Sequence, residues 1–170
     1  FLSFSIALIM LSFWESIKKE SKPYWGYLFF IGLALGLLAK GPIAAILSLP
    51  PIAIWCIFSK NIKKAFKSAP WFLGTVLFLF ISFPWYYLSE LRSPGFINYF
   101  IIGEHFERFF NSGWQGDKYG FAKQQPFGIV WAFFIVLILP WSILLIKLLT
   151  KKWSVIKKDY WALFLLIWIL

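Results

Sequence analysis

The feature that most constrains this chain is its alternation of long apolar runs with short breaks that carry almost all of its charge. The apolar runs cover about 1–14, 24–39, 42–58, 71–88, 127–149 and 160–170. A helix that crosses a bilayer needs ~20 apolar residues. In lipid, only a structure that satisfies its own backbone hydrogen bonds can span. Charged residues make up 14% of the sequence, against about 25% in soluble domains. The expected fold class is therefore all-α, a multi-pass transmembrane helical bundle. The runs at 24–39 and 42–58 are short, which suits little tilt or a locally thin bilayer. The chain opens on Phe1, and its last apolar run stops at Leu170, about halfway across a bilayer. It therefore reads as a fragment, one partial transmembrane domain over 1–170.

The lysines set a topology. Segments 15–24, 59–70 and 147–159 hold twelve of the seventeen basic residues, opposed by Glu15, Glu20 and Asp159. Segments 40–42 and 89–126 hold the other five basic residues and four acids. If successive runs alternate in direction, the lysine-rich segments all fall on one side, which the positive-inside bias makes cytoplasmic. The net charge of +10 is accounted for by these clusters, and no separate basic stripe remains to follow a phosphate backbone. Nucleic acid is excluded as a partner on that ground. The one cysteine, Cys56, lies in an apolar run, where it reads as an inert buried thiol. Trp14, Trp25, Trp71, Trp85, Tyr86 and Trp153 sit near run ends, as in an interfacial aromatic belt. Gly32 and Gly36 form a small-xxx-small pair suited to close helix packing.

The unusual chemistry falls on the opposite, outer side. Lys40 stands in Leu38-Ala39-Lys40-Gly41-Pro42, a tight break between two apolar runs. Gly41 permits a sharp turn and Pro42 suits the first turn of a helix. Two readings stay open for Lys40: snorkelling to the outer headgroups, or presenting a cation to an anionic group at membrane depth. Segment 89–126 is long for a connector. Within it, Phe96–Phe110 has helical periodicity, with Tyr99, Ile102, Phe106, Phe109 and Phe110 on one face. That predicts an interfacial helix whose polar side offers Glu104, His105 and Arg108. Glu104 and Arg108 are spaced for an ordinary i,i+4 pair, but the same groups suit an anionic lipid headgroup. The stretch Asn111–Gly120 is loop chemistry, and Asp117 alone is weak support for a metal. No phosphate loop, nucleophile elbow or HExxH motif is present.

The Lys40-Gly41-Pro42 break, Phe83-Pro84-Trp85-Tyr86-Tyr87, Pro94-Gly95-Phe96 and Glu104-His105-Phe106-Glu107-Arg108-Phe109 occur here in that order. Together with Pro126 and Pro140-Trp141 they resemble the polyprenyl-phosphate-sugar-dependent glycosyltransferases. These are similar to the aminoarabinose transferase of lipid A and, more distantly, to the protein O-mannosyltransferases. The resemblance spans about residues 25–145, and its E-H-x-x-R-F piece is its most specific part. It implies a GT-C fold in a bacterial inner membrane with a periplasmic active face, a polyprenyl-phosphate sugar donor, and a lipid or protein acceptor. It implies donor-phosphate contacts for Lys40 and Arg108, and places Glu104 and His105 in the same motif. The catalytic carboxylates it implies lie upstream of Phe1, so no catalytic residue is assigned, and no metal ligand either, although a divalent metal is compatible with the family. Gln124-Gln125-Pro126 stands where many relatives of the aminoarabinose enzyme carry a histidine before the proline, which leaves the acceptor open. A transporter or flippase of lipid-linked substrates, and a non-enzymatic membrane subunit, are the competing functions. The first of these predicts polar groups inside the spans, where only small hydroxyls such as Ser48, Thr75, Ser82 and Ser142 occur.

Overall fold

The computed structural model describes residues 1–107, positions 129, 133, 136 and 137, and residues 141–156 and 158–169. Every regular element among the described residues is helical. Two compact units form, Phe1–Asn111 and Ser112–Leu170.

The first unit is built from α1 (Leu2–Ser16), α2 (Tyr24–Lys40), α3 (Ile43–Phe58), the short α4 (Ile62–Ser68), α5 (Trp71–Arg92) and a wide helix, π1 (Asn98–Glu107). Its core comes from one face of each long helix: Ile9, Met10 and Phe13 of α1, Phe29, Phe30 and Ala34 of α2, Ala44, Ile52 and Trp55 of α3. Phe13 and Trp14 both meet Trp55 edge-on, at centroid separations of 6.0 and 5.6 Å, a favoured aromatic geometry. Small residues set the helix spacing. A Cβ on Gly32 would come within 2.9 Å of Ile9, and one on Gly36 within 2.3 Å of the Ala44 methyl. A Cβ on Gly74 would meet the Phe30 ring at 2.2 Å. Gly32 and Gly36 thus do the close packing expected of them, and Gly74 does the same for α5 against α2.

Topology within this unit sorts the charge. The Ser16 and Ser68 hydroxyls lie 3.3 Å apart, which brings the turns carrying Lys18, Lys19, Lys22, Lys60, Lys63, Lys64 and Lys67 to one end. The Lys40 break lies at the other end of α2. At the lysine-rich end, α4 forms within segment 59–70, which the sequence marks only as a lysine-rich break between apolar runs. A cavity of about 370 Å³ lies beside it, lined by Phe13, Phe29, Ile52, Phe66 and Trp71 among others. Its lining is apolar apart from Ser16 and Ser68, so it offers nothing to a phosphate.

Among the described residues, α5 alone is long and apolar enough to cross a membrane by itself; α1, α2 and α3 are shorter apolar helices. α5 leaves Phe72 80% and Phe80 77% exposed. It also runs through Pro84 to Arg92, so the segment expected to leave the helix at residue 89 does so later. In the second unit, α6 (Trp141–Ile156) and α7 (Tyr160–Ile169) are described. Asp159 caps α7 by accepting from the Trp161 and Ala162 amides at 2.9 and 3.3 Å, an ordinary N-cap. Ten of the 23 positions of the apolar run expected at 127–149 lie outside the described residues, and α6 continues past its end.

Candidate functional site

The site grows from the C-terminus of α2. The last carbonyls of any helix lack intrahelical donors, and here they are met from outside. Gly41 N donates to Leu37 O at 2.9 Å, and Tyr86 Oη of α5 donates to the same carbonyl, also at 2.9 Å. The Lys40 carbonyl faces Nε2 of His105 at 2.9 Å. Gly41 turns the chain at φ 65°, ψ −152°, a region open in practice to glycine alone. Its missing side chain also seats the histidine, since a Cβ there would come within 2.6 Å of His105 Cε1. Pro42 then leads into α3, and its carbonyl accepts from Ile46 N at 3.0 Å.

His105 comes from π1, and its position depends on how that segment is wound. The sequence periodicity predicts an α-helix with His105 on the polar side beside Glu104. Instead the segment has i→i+5 bonding, a rare form common at functional sites, and residues five apart come together. Tyr99 Oη donates to Glu104 Oε1 at 2.6 Å, and His105 Nδ1 lies 2.6 Å from Phe100 O. The altered winding rotates His105 inward, where it is buried with 9% exposure. The expectation of a solvated histidine is therefore corrected: its ring lies between the Phe100 and Lys40 carbonyls.

Aromatic side chains fix π1 in place. Phe96 and Phe100 stack at 5.4 Å, and Trp85 and Tyr86 of α5 press on both rings. Phe100 in turn meets the His105 ring edge-on at 5.3 Å. Glu90 holds the turn between α5 and π1, accepting from the Gly95 and Ile97 amides at 2.8 Å each. Trp85 and Tyr86 thus anchor π1 in addition to lying at a run end, a role the belt reading missed. Spacings of five between Tyr99 and Glu104 and between Phe100 and His105 were the available signal.

Of the predicted site residues, the structure brings Lys40 and His105 together through the Lys40 backbone. Glu104 lies on the same helix, engaged by Tyr99. Arg108, Asp117 and the stretch Asn111–Gly120 lie outside the described residues. The Lys40 side chain is exposed at the end of α2, and no hydrogen bond or ion pair reaches its ammonium among the described residues. Among the described residues, no three His, Cys, Asp or Glu side chains gather as a metal site would require.

Residues 1–100 match the model of the dolichyl-phosphate-mannose-protein mannosyltransferase family. The chain belongs to that family. The match bears out the resemblance drawn from the Lys40 break and the motifs that follow it. The chain is also similar to curated proteins named undecaprenyl phosphate-alpha-4-amino-4-deoxy-L-arabinose arabinosyl transferase. It is 32% identical to that of Wigglesworthia glossinidia brevipalpis over 99% of this chain and 29% of the relative. To that of Aeromonas hydrophila it is 31% identical, over 95% of this chain and 28% of the relative. To that of Serratia proteamaculans it is 29% identical, over 99% and 29%. The chain thus spans less than a third of the length of these relatives. No solved structure matches it.

Proposed function

We propose that this chain is part of an integral-membrane glycosyltransferase that moves a sugar from a polyprenyl-phosphate donor to a lipid or protein acceptor. In this reading α1, α2, α3 and α5 belong to a multi-pass bundle with the Lys40 break on the periplasmic side of a bacterial inner membrane. Lys40 and Arg108 hold the donor phosphate. The observation that carries the reading is the Lys40 break itself. Its ammonium is exposed and unengaged among the described residues, while its backbone is gripped by a helix from the distant outer segment. A cation held that way suits a group on which negative charge develops. As the acceptor oxygen bonds to the anomeric carbon, the sugar–phosphate C–O bond breaks and its electron pair leaves with the polyprenyl phosphate. Preorganised cations at low dielectric stabilise that charge. A carboxylate elsewhere in the full-length protein takes the acceptor proton as general base. The names of the relatives support an undecaprenyl-phosphate donor, and the exposed apolar surface of α5 supports burial in lipid.

The test is transfer by the full-length protein in lipid nanodiscs. Given undecaprenyl-phosphate aminoarabinose or a polyprenyl-phosphate mannose, with lipid A and peptide acceptors, it is expected to release polyprenyl phosphate and a glycosylated acceptor. Mass spectrometry reads both products. Transfer from neither donor to either acceptor contradicts the proposal.

Topology is separately testable. In a Cys56→Ala background, Asn61→Cys is expected to resist an impermeant thiol reagent applied to intact spheroplasts, and Ser93→Cys to react with it. Equal labelling of the two positions contradicts the arrangement.

A further inference from the structure

His105 presents both ring nitrogens to carbonyl oxygens, Nδ1 to Phe100 O at 2.6 Å and Nε2 to Lys40 O at 2.9 Å. A carbonyl only accepts. A neutral imidazole has one N–H and one lone pair, so it can satisfy one of these oxygens and must turn a lone pair on the other. The imidazolium donates to both. Its charge also lies at the C-terminus of α2, where the helix dipole favours a cation. The charged and titratable groups on the elements meeting at His105 are Tyr24, Tyr27 and Lys40 on α2, Tyr86, Tyr87, Glu90 and Arg92 on α5, and Tyr99, Glu104 and Glu107 on π1. His105 is buried, and both its ring nitrogens are already turned to carbonyls.

We infer that His105 is a positioning residue: as an imidazolium it clasps π1 to the Lys40 carbonyl and so fixes where the Lys40 ammonium is presented. The clasp joins residues 65 positions apart in sequence. It locks the last residue of α2 while the lysine side chain stays exposed, with no partner among the described residues, to meet an anion. This inference rests on the reading of Lys40 as a donor-phosphate ligand.

Two measurements on the full-length protein in nanodiscs test it. In the first, histidine labelled at its imidazole nitrogens is observed by NMR, with His105→Gln supplying the difference spectrum. At the pH of the transfer assay, both nitrogens of His105 are expected to carry a proton. One protonated and one bare nitrogen overturns the clasp. In the second, donor KM and kcat are measured for His105→Phe, His105→Gln, Lys40→Ala and the Lys40→Ala/His105→Phe double variant. His105→Phe keeps a ring against Phe100 and Gly41 but loses both donors, and is expected to raise donor KM roughly tenfold with a smaller change in kcat. His105→Gln retains an amide donor and is expected to fall between His105→Phe and wild type. It serves alone if the phenylalanine variant does not fold. The double variant is expected to be no worse than Lys40→Ala, because His105 acts through Lys40. A wild-type donor KM in the histidine variants, with Lys40→Ala impaired, overturns the inference and leaves the phosphate reading standing. A silent Lys40→Ala overturns the phosphate reading itself.

Discussion

Replacing Gly41 by alanine is expected to unseat π1 and to damage both stability and donor use. Two costs coincide at that position. The backbone sits at φ 65°, ψ −152°, and forcing a residue with a Cβ into such a region costs about 1–3 kcal/mol. The new methyl would also lie 2.6 Å from His105 Cε1 and 3.2 Å from Phe100 Cε1. Overpacking of this kind typically costs about 1–3 kcal/mol more, and moving the ring breaks its bond to the Lys40 carbonyl. Gly95 supplies the comparison, since its φ is 87° but no atom lies within 4 Å of a Cβ placed there. Gly95→Ala should therefore show the backbone cost alone. Thermal unfolding of the full-length protein in detergent is expected to rank wild type above Gly95→Ala, and Gly95→Ala above Gly41→Ala. Adding His105→Ala to Gly41→Ala should remove part of the added loss, because the crowded ring is gone. Equal stability of the two glycine variants contradicts the contact with His105.

Much of this arrangement was legible in the residues, and the gaps have identifiable physical causes. Hydrophobic period and lysine placement give the helices of the first unit almost to their ends, because each apolar run is bounded by proline, glycine or charge. The Lys40 break could be read as a turn because only glycine and proline follow it. What it contacts could not be read, since the partner lies 65 positions away and nothing local marks that pairing. His105 was misplaced for a different reason. A period of 3.6 was applied to a segment wound with i→i+5 bonds, and over a few residues that change carries a side chain from the polar face to the buried one. The aromatic residues around π1 were legible as interfacial, but a belt residue and a stacking anchor have the same composition. Tyr86 illustrates the point: its hydroxyl meets the Leu37 carbonyl, a bond that depends on helix packing and has no sequence signature. The run expected at 71–88 already carried α5 through Pro84 as a tolerated kink; only its continuation to Arg92 was hidden, because the polar residues from Ser89 onward mark a possible end.

Lys40→Ala is expected to have the largest effect on transfer of any single change at the site. The side chain ends α2 on the side away from the lysine clusters and has no partner among the described residues, so its removal breaks no internal bond there. Stability should be nearly unchanged. Losing a hydrogen bond to a charged group typically costs ~1.5–3 kcal/mol, or roughly ten- to a hundredfold in rate when it acts in the transition state. Lys40→Arg keeps the charge but changes its reach and shape, and should recover part of the loss. Lys147→Ala, in a lysine-rich segment expected to be cytoplasmic, should be nearly silent.

The most direct measurement is donor-dependent kcat/KM for full-length wild type, Lys40→Ala, Lys40→Arg and Lys147→Ala, at matched expression and thermal stability. A loss of roughly ten- to a hundredfold in Lys40→Ala, partial recovery in Lys40→Arg and an unchanged Lys147→Ala is the predicted result. Turnover in Lys40→Ala equal to that of Lys147→Ala would contradict the assignment of Lys40 to the donor phosphate.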